Sequence, residues 1–164
     1  MSQRQQYLAA LRESARHVVA HILAPDFIRR HAVLQASGSV SEALLQDPSS
    51  DAHTRVEIIS RFAGLAAVFL GARARAENDA ADLAIARGLL HTLGDEARED
   101  TYRGEAEGFV RAHFLTIRAV ALQLLSAGEL DAEEAGLIVE VAEGRAPLRV
   151  LQAYRTARAG RATG

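Results

Sequence analysis

Arg12-Glu13-Ser14-Ala15-Arg16 sets one carboxylate between two cations within a single helical turn. Zinc hydrolysis uses the same spacing with different residues. In H-E-x-x-H, two imidazoles one turn apart hold the metal, and the glutamate between them activates the bound water. Here the glutamate position is kept as Glu13, and both ligand positions are arginine. A guanidinium stays cationic and only donates hydrogen bonds, so neither Arg12 nor Arg16 can bind zinc.

The same segment offers a second register. His17 and His21 are i and i+4, and Glu13 lies one turn before them, so the three share a helix face. Position 18 is valine, so this H-x-x-x-H lacks the adjacent base of a hydrolytic site. It reads either as a rearranged metal site or as a structural histidine pair. His31, His53, His91 and His113 show no ligand spacing with one another and read as surface or satisfied core residues. Arg145, Arg149, Arg155, Arg158 and Arg161 close the chain with no acid among them after Glu143. They read as a solvated helix face, or as a basic arm for an acidic partner. Tyr154 stands alone among them, without the aromatic interleaving that stacks bases.

The elements that must position these groups are helical. The chain has 164 residues, one domain's worth, with 49% hydrophobic and 5% aromatic residues. All 19 basic residues are arginine, spread along the chain, and the net charge is −2, which gives no bulk signal for nucleic acid. There is no cysteine, which excludes disulfides, thiolate metal sites and cysteine nucleophiles. No signal peptide or membrane span is read, so the expectation is a cytoplasmic protein with no membrane partner.

Apolar spacing predicts a helix over 3–23, ended by Pro25. A short β-hairpin is expected at 27–36 with 39–45, turning at Ser37-Gly38-Ser39, then a loop at 47–51. Further helices are expected at 53–70, from Asn78 or Asp79 to Gly94, at 97–127, from Asp131-x-x-Glu134 to about 142, and after Pro147. Residues 1–144 read as the domain and 145–164 as a short helix with a basic tail.

Four stretches, in order, resemble the peptidase domain of the FtsH-type ATP-dependent zinc metallopeptidases. Glu13 to His21 is similar to that family's E-A-G-H-A-[LV]-V-A-H, and Ala63 to Gly71 to its G-R-A-A-E-x-L-x-F-G, with Val68 in place of the acid. Glu77-Asn78-Asp79 with Ala84 to Arg87 resembles its S-N-D segment, one residue shorter in spacing. His113 to Glu140, through Gly128-Glu129-Leu130-Asp131, resembles its closing helix pair and L-D-G-E-E turn.

The resemblance covers roughly residues 8–142. It implies a mainly α, FtsH-peptidase-like fold of bacterial setting, with Asp79 at the third zinc-ligand position. Arg12 and Arg16 would then face Asp79, and an arginine would pair with Asp79, Glu13 or both. No phosphate-loop motif is present, so no ATP-driven unfolding is expected in this chain.

The functional expectation is a catalytically inactive, metallopeptidase-like module with no cofactor. It would bind a protein or peptide, by strand addition along the hairpin edge, and its apolar helices are compatible with self-association. The alternative is an active zinc peptidase whose rearranged site uses Glu13, His17, His21 and Asp79. The bland reading of Arg12-Glu13-Arg16 is an exposed helix face.

Overall fold

A computed structural model of the chain describes residues 1–28, 32–36, 45, 50–73 and 79–162. Among them the fold is mainly α, with a small antiparallel sheet. Helix α1 spans Gln3–Leu23 and starts at a reciprocal capping box, in which the Ser2 hydroxyl accepts from the Gln5 amide and the Gln5 side chain accepts from the Ser2 amide. Pro25 follows its end and opens a short 3-10 turn.

Helix α2 (Asp51–Ala72) is capped by Ser50 and ends at Arg73 in the left-handed region, φ 48°. Helix α3 (Asp79–Leu93) stops at Gly94, whose φ of 67° an L side chain adopts only with strain. Helix α4 (Glu99–Ala127) leaves helical angles at His113, where the side chain is tied to Glu143. Helix α5 (Ala132–Ala142) starts where Asp131 accepts from the Glu134 amide at 2.7 Å. Helix α6 (Leu148–Ala162) follows Pro147.

Strand β1 (Val33–Gln35) pairs antiparallel with β2 (Glu129–Asp131), Leu34 opposite Leu130. This pairing adds to the hairpin expectation a partner from the far side of α4, and it places the buried Leu34 and Leu130 in one core. Ile28 and Leu45 do form an isolated antiparallel bridge across the expected hairpin. Residues 37–44, which hold its turn and most of its second arm, lie outside the described residues.

Helix α1 is the axis of the core. It packs against α2, α4 and α5, and every residue from Leu8 to Ala20 is buried. Over that enclosed stretch, each polar group loses water and is costly unless it is hydrogen-bonded, neutralised or kept uncharged. Helix α6 joins the same core through Leu151.

The segment 96–127 is long and apolar enough, by length and composition, to cross a membrane, contrary to the sequence expectation. In the fold its α4 portion packs on α1, α2 and α5, which gives its apolar residues a protein surface to cover.

Candidate functional site

Arg12, Glu13 and Arg16 are among the most enclosed residues of the chain, at 2%, 3% and 0% exposure. The exposed-face reading is therefore wrong, and the reason is the complete enclosure of α1. Their partners come from two other helices. Arg12 Nε lies 3.4 Å from Glu13 and 3.5 Å from Asp82 of α3. Arg16 Nη1 reaches Glu13 at 3.4 Å, and its Nη2 reaches Glu57 of α2 at 3.2 Å. Arg61, one turn after Glu57, donates to Glu57 at 2.9 Å and to Asp82 at 2.8 Å.

These contacts close a ring. Its order is Arg12, Glu13, Arg16, Glu57, Arg61, Asp82 and back to Arg12, with the sign of charge alternating at every step. Among the described residues, three guanidiniums and three carboxylates cancel, which is how six charged groups can share a dry interior. Arginine suits this role because it presents several donors in a planar fork and stays charged.

Local sequence makes the ring fit. Glu57 and Arg61 stand at i and i+4 on α2, so they project from one face toward α1. Gly64 continues that face, and a Cβ built there would lie 2.9 Å from Arg12 Cγ and 3.4 Å from Arg16 Cγ. The absent side chain is what lets the two arginine stems pass beneath α2.

The sequence expectation pairs Arg12 or Arg16 with Asp79, Glu13 or both; Glu13 contacts both arginines, and Asp79 is half-buried at the first residue of α3. Asp82 is the α3 carboxylate beside Arg12. It sits nearly one turn further along α3, at 1% exposure and turned into the core, whereas Asp79 lines a cleft between α2, α3 and α4.

The rearranged metal set is not assembled either. Glu13 is held by Arg12 and Arg16, whereas His21 Nε2 contacts Glu140 of α5 at 2.8 Å. Among the described residues no group of three or more His, Asp or Glu is placed to hold a metal ion.

His17 is fully enclosed, and neither ring nitrogen has a hydrogen-bond partner. Its ring stacks on that of His21 at 5.9 Å between centroids. Burial pushes the His17 imidazole down to about 3, and the neighbouring His21 adds to the shift. Glu140 is held down to about 2, first by its hydrogen bonds from Arg145 and then by His21. Gly136 of α5 makes this contact close, since a Cβ there would meet the His21 ring at 2.8 Å.

The other histidines are dispersed. His53 packs against Phe27, His91 contacts Glu96 and His113 contacts Glu143; His31 lies outside the described residues. The C-terminal arginines are largely employed within the chain. Arg145 donates to Glu140, Arg155 and Arg158 both reach Glu134, and Tyr154 donates to Asp131. These contacts fasten α6 to α5, which leaves less of the run for an external partner.

Sequence reading located Arg12, Glu13 and Arg16 but missed Glu57, Arg61 and Asp82. A usable signal was present: two opposite charges one turn apart inside the most apolar helix face, between Val56 and Phe62. Compared with protein-family models and with curated proteins, the chain matches none.

Proposed function

We propose that this chain is a catalytically inactive, metallopeptidase-like module that binds polypeptide. The observation that carries the reading is the ring itself. At the two positions where a zinc-hydrolase helix offers imidazoles stand buried arginines, each neutralised by carboxylates from its own helix and its neighbours. Without acceptor atoms there is no seat for a metal, and hence no metal-bound hydroxide to attack a peptide bond. Glu13 cannot supply that nucleophile alone, and its oxygens are already engaged by Arg12 and Arg16. On this reading the ring stands in for a reaction centre and puts a charge-balanced network in its place. A binding role is the use that such a scaffold retains.

The test combines metal content and turnover. Elemental mass spectrometry on untagged protein incubated with zinc should find no stoichiometric metal, and fluorescent casein should be retained on the protein without being cleaved. Stoichiometric zinc with casein hydrolysis, both lost in His17→Ala, would overturn the reading in favour of the rearranged enzyme. Failure to retain casein in any assay would remove the binding half.

A further inference from the structure

The cleft between α2, α3 and α4 has a volume of about 790 Å³ and an apolar wall that includes Phe62, Leu65, Phe69, Leu83 and Val110. That is within the size range of ligand pockets, and the apolar wall is edged by charged groups. Phe69 is 64% exposed, an unusual cost for a monomer surface unless something covers it.

The charged groups around this wall are unbalanced. Arg103 lies over the Phe62 ring and is tied to Glu99, so it is already engaged. Asp79 also has an interaction within the chain. Arg73 and Arg111 line the cleft, and their side chains carry no hydrogen bond or ion pair among the described residues. Glu107, one turn before Arg111, is the one lining carboxylate not otherwise engaged among them.

The surface continues along α4. Beyond the break at His113, Leu115, Arg118 and Leu122 follow at i, i+3 and i+7, a helix stripe about 10 Å long. Leu115 is 79% exposed and Leu122 50%, and Arg118 has no ion pair among the described residues. Apolar and cationic groups therefore alternate from the cleft outward, with three arginine side chains against one carboxylate unengaged among the described residues.

We propose that this surface docks an acidic amphipathic segment of a partner protein. Its large apolar side chains would enter the cleft and cover Leu115, and its carboxylates would meet Arg73, Arg111 and Arg118. An apolar stripe flanked by complementary charge is how a helix is taken into a groove, and complementary charge sets which helix is accepted. The inference rests on the proposed reading only in taking the occupant to be a polypeptide.

The experiment uses the full chain and a fluorescein-labelled synthetic peptide of Glu, Leu and Phe in helical repeat, followed by fluorescence anisotropy. The same peptide with Lys for Glu is the control, and vesicles of anionic phospholipid form a third arm. The acidic peptide should bind at least about tenfold more tightly than its basic isomer, and added salt should weaken it. Combined Arg73→Glu, Arg111→Glu and Arg118→Glu should reverse that order. These side chains are exposed, so an unchanged thermal melt will show that the fold survives; Arg73→Gln with Arg111→Gln serves if it does not, and should erase the preference. Equal binding of both peptides, or a preference untouched by the substitutions, would overturn the proposal. Tight binding to anionic vesicles with none to the peptide would overturn it in favour of a lipid surface. Zinc-dependent casein hydrolysis would sink the inactive-peptidase reading and leave this charge preference standing, so the two failures are distinguishable.

Discussion

Toward α2 and α3, helix α1 buries two arginines and a glutamate, and each finds an opposite charge from a neighbouring side chain. Toward α5, the same helix buries His17, and neither of its ring nitrogens finds a partner. Both faces remove polar groups from water, but they do so by different means. The first keeps its groups ionised and cancels them in a closed ring. The second keeps its group neutral by making its protonated form too costly. The ring should therefore respond to substitution, whereas the His17 face should respond to acid and little to substitution.

The largest expected effect comes from opening the ring. Arg16→Met removes the cation between Glu13 and Glu57 while keeping much of the side-chain volume, and it leaves the ring with one negative charge in excess in a dry interior. Breaking a buried pair from one side costs about 3–5 kcal/mol, so urea unfolding at neutral pH should show a loss of that order. Replacing all six ring members together with apolar residues of similar volume should cost far less, since no charge is then stranded. A six-fold replacement as damaging as Arg16→Met would mean that the ring stabilises by more than mutual cancellation.

Next in size is Gly64→Ala. The added methyl would meet Arg12 Cγ at 2.9 Å, close to the helix where the stem cannot swing away. Overpacking of this kind costs about 1–3 kcal/mol, offset by the roughly 1 kcal/mol that alanine gains over glycine in a helix. A net loss near 1 kcal/mol is expected in the same urea experiment, and it should vanish in a background where Arg12 is alanine. A loss that persists there would place the cause outside the ring.

The helices were largely legible because their apolar periodicity and end signals are local. Asp131, Pro25 and Gly94 act where the sequence puts them, and the segment around Arg12 was recognisable as chemically loaded. What escaped was the enclosure of α1. A helix with apolar residues at Leu8, Leu11, Ala15, Val18 and Val19 looks amphipathic, and its remaining face looks like solvent's share. Packing by α2, α4 and α5 together covers that face as well, and this is a tertiary fact that no single stretch encodes. Asp82 was passed over for Asp79 because the choice depends on how α3 is rotated against α1. Strand β2 was missed because three residues carry no periodic signal, and its pairing partner lies nearly a hundred positions away.

The effect that is smallest at neutral pH is also the most specific, because it reads pH. His17 has an ordinary value of 6.5 and is pushed down to about 3 in the fold. In the unfolded chain it takes up a proton below its ordinary value, and in the folded chain it does not until near 3. The resulting stability is thus fully present above 6.5 and is lost as pH falls through the window down to about 3. The slope for one proton is about 1.4 kcal/mol per pH unit, reduced wherever local opening lets water reach the ring. Glu140, held down to about 2 by Arg145 and His21, adds its own loss only below its ordinary 4.5. His17→Leu should therefore change stability little at pH 7.5 and flatten the decline between 6.5 and 4.5, with the steeper acid limb below 4.5 left in place. Urea midpoints of both proteins across that range decide the matter. Parallel pH curves for the two would mean that His17 is protonated and paired in the folded chain, and the contrast between the two faces of α1 would be lost.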